Sequence, residues 1–227
     1  MVGVFDSGAG GLTAVAELRR LAPSLDICFL QDRKNSPYGT KSQRELIRLV
    51  KKDINRLALA GAETILMACC TASTVYSALP SAMRDIAHPI IDPTVSEAAK
   101  VTVGGRIGVI ATEATVRSGT FTERLFAYPS VKEVVEIPTQ QLVSLVDGGT
   151  TDKNITREAQ EEIFRLLSPL RDRKIDTLIL GCTHFPHLRL TIGGMLPGVR
   201  LVNSSKEGAK EIIKSISLFG TGKTVYL

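Results

Sequence analysis

The sequence predicts an α/β protein built as two related halves with mainly parallel sheets. Short runs of large aliphatic residues alternate with amphipathic helical stretches, the pattern of strands buried on both faces under covering helices. Two of these runs share one plan. Glu63-Thr64-Ile65-Leu66-Met67-Ala68-Cys69 and Asp176-Thr177-Leu178-Ile179-Leu180-Gly181-Cys182 each read acid, Thr, three large apolar residues, a small residue and a cysteine, 113 positions apart. Gly108-Val109-Ile110 likewise echoes Gly3-Val4-Phe5, at an offset of 105. Two echoes in the same order indicate a duplication. Ligands of open α/β sheets bind outside the carboxyl ends of the strands. The small residue and the cysteine fall where each strand ends, so two thiols stand at matching points of the two halves.

The elements follow in order. Val2–Phe5 reads as the first strand and runs into Asp6-Ser7-Gly8-Ala9-Gly10-Gly11, a turn whose glycines allow close backbone approach to a ligand. A helix over Ala14–Leu21 comes next. The turn lacks the spacing of a dinucleotide fingerprint and the Lys of a P-loop. A carboxylate beside helix N–H groups suits a zwitterion: Asp6 takes an ammonium and the N–H groups take a carboxylate. The alternative for Asp6-Ser7 is a helix N-cap. Leu25–Leu30 reads as the second strand, with Cys28 an inert core thiol. A polar loop holds Ser36-Pro37-Tyr38-Gly39-Thr40, and an amphipathic helix spans Ser42–Ala60. The first cysteine strand ends in Cys69-Cys70-Thr71-Ala72-Ser73.

A short helix over Ser77–Ala87, a short strand over Pro89–Pro93 and a helix over Thr94–Val101 complete the first half, and Gly104-Gly105 marks the seam. The second half opens with a strand over Arg106–Thr112. Thr112, Thr115 and Ser118 lie on the loop and helix that follow, and the helix continues through Phe121–Phe126. Val131–Ile137 reads as a strand, Gln140–Val146 as a helix ending at Asp147, and Ile155–Leu167 as an amphipathic helix. The second cysteine strand ends in Cys182-Thr183-His184-Phe185-Pro186. A strand over Val199–Val202 and a helix over Ser205–Ile216 close the chain.

Composition narrows the function classes. The chain has 227 residues, 44% hydrophobic and 22% charged, the profile of a globular protein with a substantial core. No apolar run is long enough for a membrane span, and Met1–Asp6 carries no basic leader, so neither membrane nor signal peptide is expected. The net charge of +5 is spread over presumed helix faces, so no nucleic-acid partner is expected. Four cysteines without framework spacing predict a reducing, cytoplasmic setting.

The chemistry rests on the two thiols. Cys182 with His184 can be read as a nucleophile and its base, although residues two apart seldom face each other correctly. Cys69, Cys70, Cys182 and His184 can be read as metal ligands, but no ligand spacing supports it and no metal is expected. Both cysteines can also be packing residues. Symmetric thiols on facing halves fit a fourth reading better. One thiolate removes a proton from a carbon and the other thiol returns one to the opposite face, which inverts a stereocentre without redox chemistry.

Phe5-Asp6-Ser7-Gly8, Pro37-Tyr38-Gly39, Ala68-Cys69-x-Thr71-Ala72 and Gly181-Cys182-Thr183-His184-Phe185-Pro186 together resemble the glutamate racemases of the cofactor-independent aspartate/glutamate racemase superfamily. The resemblance implies two pseudo-symmetric three-layer α/β domains with the site in the cleft between them. Residues 1–95, joined by 206–227, would form one, and 96–205 the other. It implies interconversion of L- and D-glutamate, with D-glutamate supplied to peptidoglycan; aspartate or another acidic amino acid is the nearest alternative substrate. Cys69 and Cys182 would be the paired bases, and Asp6 and Ser7 would contact the ammonium. Pro37, Tyr38, Gly39, Thr71, Thr115 and Thr183 would surround the carboxylates. His184 would assist Cys182, and Asp147 would stand where the family has a Glu assisting the other thiol. A homodimer is compatible with the family. Two departures stand out. Cys70 replaces the family's Asn and is a poor hydrogen-bond donor, which opens a catalytically degenerate amino-acid-binding protein as an alternative. The C-terminal part also looks short.

Overall fold

In the computed structural model, which describes residues 1–216 and 220–227, the chain forms two parallel sheets. The first half contributes β1 (Val2–Asp6), α1 (Leu12–Leu21), β2 (Ile27–Gln31), α2 (Gln43–Leu59), β3 (Thr64–Met67), α3 (Cys70–Ser73), α4 (Ser81–Arg84), β4 (Ala87–Pro89) and α5 (Ile91–Val101). The second contributes β5 (Arg106–Ala111), α6 (Glu113–Ser118), α7 (Thr120–Leu125), β6 (Glu133–Pro138), α8 (Gln140–Asp147), α9 (Arg157–Asp172), β7 (Thr177–Gly181), α10 (Arg189–Met195), β8 (Arg200–Asn203) and α11 (Ser204–Lys214). A last short strand, β9 (Thr224–Tyr226), follows.

The strand orders are β4-β3-β1-β2-β9 and, read in the matching direction, β8-β7-β5-β6. The second order repeats the first four places of the first, so the echoes in sequence correspond to one topology used twice. In each half the chain leaves the central strand (β1 or β5), pairs on one side (β2 or β6), then crosses to the other (β3 or β7). Such a crossing opens a crevice at the carboxyl ends of the two strands it separates. The crevice of one half therefore lies between the end of β1 and Cys69, and that of the other between the end of β5 and Cys182.

Side chains alternate across each strand as the pleat requires. Val2 and Val4 face one core, with α1, while Phe5 faces another, with Leu46, Leu49, Val50, Ile54 and Leu57 of α2. Leu178 and Leu180 pack on Ile163, Leu167 and Leu170 of α9, and Ile179 faces the opposite way. One core joins the halves. It contains Val4, Leu18, Val95 and Ala98 together with Val109, Ile179 and Ala209, so α1, α5 and α11 form a helical layer held in common between the sheets. The division at residues 95 and 96 falls inside α5, which packs against α7, β7, β8 and α11.

Local chemistry sets the boundaries. Ser42 caps α2 by accepting the Glu45 N–H at 3.3 Å, Thr112 caps α6 through Thr115, and Asn203 caps α11 through the Ser205 N–H at 3.0 Å. The helix expected to continue through Phe121 is broken into α6 and α7 at Gly119, whose φ of 66° leaves the helical region. The strand expected over Pro89–Pro93 ends at Pro89; Ile91, Asp92 and Pro93 open α5, where a proline in the first turn sacrifices no intrahelical bond. Within Ser77–Ala87 only Ser81–Arg84 is α-helical. The strand β9 was not evident in the sequence. It pairs parallel with β2 and is held by Arg19, whose guanidinium donates to the Lys223 carbonyl at 2.7 Å, and by Asp26, which accepts the Lys223 N–H at 3.0 Å.

Candidate active site

The ends of β1, β3, β5 and β7 converge on a narrow cavity between the halves. Asp6, Ser7, Cys69, Cys70 and Thr71 line it from the first half, with Pro37, Tyr38 and Gly39 from the loop after β2; Cys182, Thr183, His184 and Asp147 face them from the second. The open space amounts to about 20 Å³, room for one water. Of the site residues expected from sequence, Thr115 stands apart. Its buried hydroxyl lies behind the wall, 3.0 Å from the Thr71 hydroxyl and 2.9 Å from that of Thr112, and Thr112 takes the lining position.

Cys69 is the N-cap of α3. Its sulfur accepts the Ala72 N–H at 3.4 Å and lies 3.6 Å from the Ser7 hydroxyl. On the other side the Cys182 sulfur lies 3.5 Å from Nδ1 of His184, whose Nε2 is 3.0 Å from Oδ1 of Asp147. Cys182 and His184 thus face each other despite their spacing of two, because the chain leaves β7 directly into a tight 3-10 turn over Phe185–Leu188. Asp147 therefore supports the thiol of its own half through His184. Asp6, 1% exposed, accepts the Gly8 N–H at 2.7 Å and the Thr183 hydroxyl at 2.9 Å, and so ties the halves together.

The glycines of the first turn admit protein rather than ligand. A Cβ on Gly10 would lie 2.4 Å from the Thr183 hydroxyl oxygen and 2.6 Å from His184 Nδ1. The Gly8 N–H, expected to be free for a carboxylate, is taken by Asp6 itself.

Burial dominates the electrostatics. It pushes the Cys69 thiol up to about 12, with the Asp6 charge adding to the effect. Burial also holds Cys182 well above the ordinary thiol value, with the neighbouring Cys70 thiol and Asp6 adding to it against a backbone hydrogen bond from His184. Cys70 is raised by burial and by Cys69. Asp6 is raised by burial, against the opposing pull of His184, the Gly8 N–H and Thr183. Both thiols are therefore protonated at neutral pH in this arrangement. Among the described residues no group of three or more His, Cys, Asp or Glu is placed to hold a metal, and no helix is long and apolar enough to cross a membrane.

Tyr38 departs from expectation. Its hydroxyl points away from the cavity, 2.8 Å from Asp32 Oδ2 and 2.8 Å from Asp53 Oδ2. The hydroxyl is thus engaged by the two carboxylates and not free for a ligand. Asp32 also accepts the Asn35 amide N–H groups at its two oxygens, at 2.9 and 2.8 Å. Asp53 has no such support: Oδ1 lacks any hydrogen-bond partner. Asp32 and Asp53 were missed in the sequence. The available signal was Asp53 itself, an acid in the helical register of the apolar residues Leu46, Leu49, Val50 and Leu57.

With this geometry described, comparison with known proteins places it. The Asp/Glu/hydantoin racemase family matches residues 15–212. A glutamate racemase of Desulforudis audaxviator is 41% identical over 89% of this chain and 74% of its own length. One from Aquifex aeolicus is 35% identical over 97% of this chain and 85% of its own. The crystal structure of glutamate racemase from Francisella tularensis in complex with D-glutamate superposes with a TM-score of 0.87 at 29% identity, covering 99% of this chain and 85% of that one. Two parallel-sheet halves are thus the fold this chain shares with these relatives, and the chain belongs to the Asp/Glu/hydantoin racemase family, alongside the glutamate racemases.

Proposed function

We propose that this chain interconverts L- and D-glutamate by two-base proton transfer, with Cys69 and Cys182 as the bases. The observation that carries the reading is the placement of two buried thiols on opposite walls of one cavity, each beside its own proton-handling group. Ser7 and the Ala72 N–H stand beside Cys69, and His184 with Asp147 stands beside Cys182. The similarity to glutamate racemases across most of the chain supports glutamate as the substrate.

Asp6 is the one buried carboxylate on the cavity wall and would take the substrate ammonium. An ammonium there neutralises the charge that raises both thiols, and the acidified α-proton then has a base on each face. One thiol must first give up its proton, for Cys182 to the adjacent His184. That thiolate then takes the α-proton and leaves a planar carbanion, and the opposite thiol delivers its proton from the other side, so that thiol and thiolate have exchanged places after one turnover. Both bases come from the chain, so the step calls for no cofactor. About 20 Å³ of open space does not admit an amino acid, so the halves must part for substrate to enter. Four cysteines without disulfides fit a cytoplasmic setting and a supply of D-glutamate to the cell wall.

Proton NMR of the protein with L-glutamate in D2O tests the reading. Loss of the α-proton signal with D-glutamate accumulating is the expected result. Absence of exchange with glutamate would overturn the substrate, and absence of exchange with every acidic amino acid would overturn the mechanism.

A further inference from the structure

We propose that Gln140 is a substrate-contact residue whose side-chain amide holds a carboxylate of the bound amino acid and helps set which acidic amino acid is accepted. This rests on the racemase reading above. Gln140 is the first residue of α8, after a fully buried Thr139 that is fixed to the Ala111 carbonyl through its N–H at 2.8 Å and its hydroxyl at 3.2 Å. The helix start is therefore rigid and directs Gln140 into the cavity wall.

Its amide meets Gly39 and Thr112 at one corner. A Cβ on Gly39 would lie 2.2 Å from Gln140 Oε1 and 2.8 Å from the Thr112 Cβ, so the glycine makes room for the amide. Oε1 is buried and has no hydrogen-bond partner. Two other side-chain atoms share that condition among the described residues, Asp53 Oδ1 and Glu136 Oε2, and neither residue lines the cavity. Buried polar atoms are nearly always paired, and one left open in a cavity wall marks the place where a partner arrives. Oε1 itself can only accept, so a substrate carboxylate is met by a half-turn about the last torsion, which brings the two Nε2–H donors to the same point.

Charge makes the amide matter. Among the described residues no Lys or Arg lines the cavity. A dicarboxylic substrate must therefore be held by neutral donors: hydroxyls, backbone N–H groups and amides. Cys70 offers a thiol, a poor donor, and among the described lining residues Gln140 alone carries a side-chain amide.

The test is steady-state racemisation of glutamate and aspartate by wild type, Q140L and Q140E, with thermal melts verifying folding and Q140A replacing any variant that fails. Loss of a hydrogen bond to a charged group weakens binding roughly 10- to 100-fold. Q140L is expected to raise the KM for glutamate at least tenfold with kcat within about threefold, and to change the ratio of glutamate to aspartate turnover. Q140E should raise KM further, since carboxylate then faces carboxylate. KM values within twofold of wild type in both variants would overturn the inference. If wild type exchanges no α-proton, the racemase reading fails on its own. Calorimetry of D- and L-glutamate binding then decides Gln140 separately: tenfold weaker binding by Q140L upholds it, and equal affinity overturns it.

Discussion

One proton is short in the anchor behind the substrate loop, and D53N exposes the consequence. The Tyr38 hydroxyl has a single proton and stands 2.8 Å from a carboxylate oxygen on each side. Asp32 accepts two further bonds from Asn35. Asp53 is completely buried, and its nearest cation, Arg56, is 4.0 Å away on a half-exposed side chain. Burial pushes Asp53 up to about 6, and the Asp32 charge adds to it against the pull of the Tyr38 hydroxyl, Arg56 and Lys52. Its folded value lies above its unfolded one, so the folded protein holds the extra proton between roughly pH 4 and pH 6. Stability from this group is therefore greatest at low pH and falls as pH rises through about 6. At 1.36 kcal/mol per tenfold in proton affinity, the rise from 3.8 to about 6 corresponds to at most about 3 kcal/mol. Screening by solvent and the Arg56 side chain reduces this to ~1–2 kcal/mol. Asn at position 53 donates to Tyr38 at every pH and does not titrate. Urea denaturation of wild type and D53N at pH 4.5, 5.5, 6.5 and 7.5 reads the difference directly. D53N should gain ~1–2 kcal/mol on wild type between the lowest and highest pH. A difference independent of pH, or one of opposite slope, would refute the proton count.

Three further perturbations bear on the site. C69S and C182S should each lower glutamate racemisation by roughly 10²- to 10⁴-fold, the span of a lost acid–base group, with unchanged thermal melts; full activity in either would sink the two-thiol mechanism. C70N should change kcat/KM less than about threefold if the Gln140 amide already serves the substrate, and a rise of tenfold or more in the kinetic assay would show that Cys70 impairs the native site. G10A forces a Cβ to 2.4 Å from Thr183 and 2.6 Å from His184 and should cut kcat by ~10²-fold through the displaced His184–Cys182 pair. G194A, at a helical position with nothing within 4 Å, is its control and should leave kcat unchanged with a gain of about 0.4–1 kcal/mol in stability.

Much of this was readable from the chain, for a physical reason. Strands such as Thr64–Met67 and Thr177–Gly181 are buried on both faces, so their identity is written in consecutive aliphatic residues, and the thiols follow at the next turn. Features set by contacts between distant segments were not readable. The layer of α1, α5 and α11 shared by both sheets is one such feature, since each helix shows only an apolar face and not what it faces. The three-residue strand β9 is too short for a periodic signal and is fixed by Arg19 and Asp26 instead. The Tyr38 hydroxyl is engaged by Asp32 and by Asp53, the latter on a helix fifteen positions away, a pairing that the loop sequence alone does not show. Gln140 was read only as the start of a helix; its burial beside Gly39 depends on the two halves meeting.

The closed cavity and the protonated thiols are two sides of one arrangement. Burial raises Cys69 and Cys182, and the Asp6 charge adds to both. A thiolate formed in this buried arrangement is therefore disfavoured, which protects both sulfurs from oxidation, since the thiolate is the reactive form. In the proposed mechanism the substrate itself reverses the balance. Its ammonium offsets Asp6, whose charge raises both thiols, and no Lys or Arg among the described lining residues stands ready to trap a thiolate permanently. The two sides of the site are then unequal. Cys182 has an imidazole at 3.5 Å backed by Asp147, and can pass its proton to a base, whereas Cys69 has only a hydroxyl and a backbone N–H, and can be stabilised once charged but has no neighbouring base of comparable strength. Loss of His184 should for that reason lower kcat in one direction more than in the other at saturating substrate, with KM changing in step, since the equal energies of the two enantiomers keep kcat/KM the same in both directions.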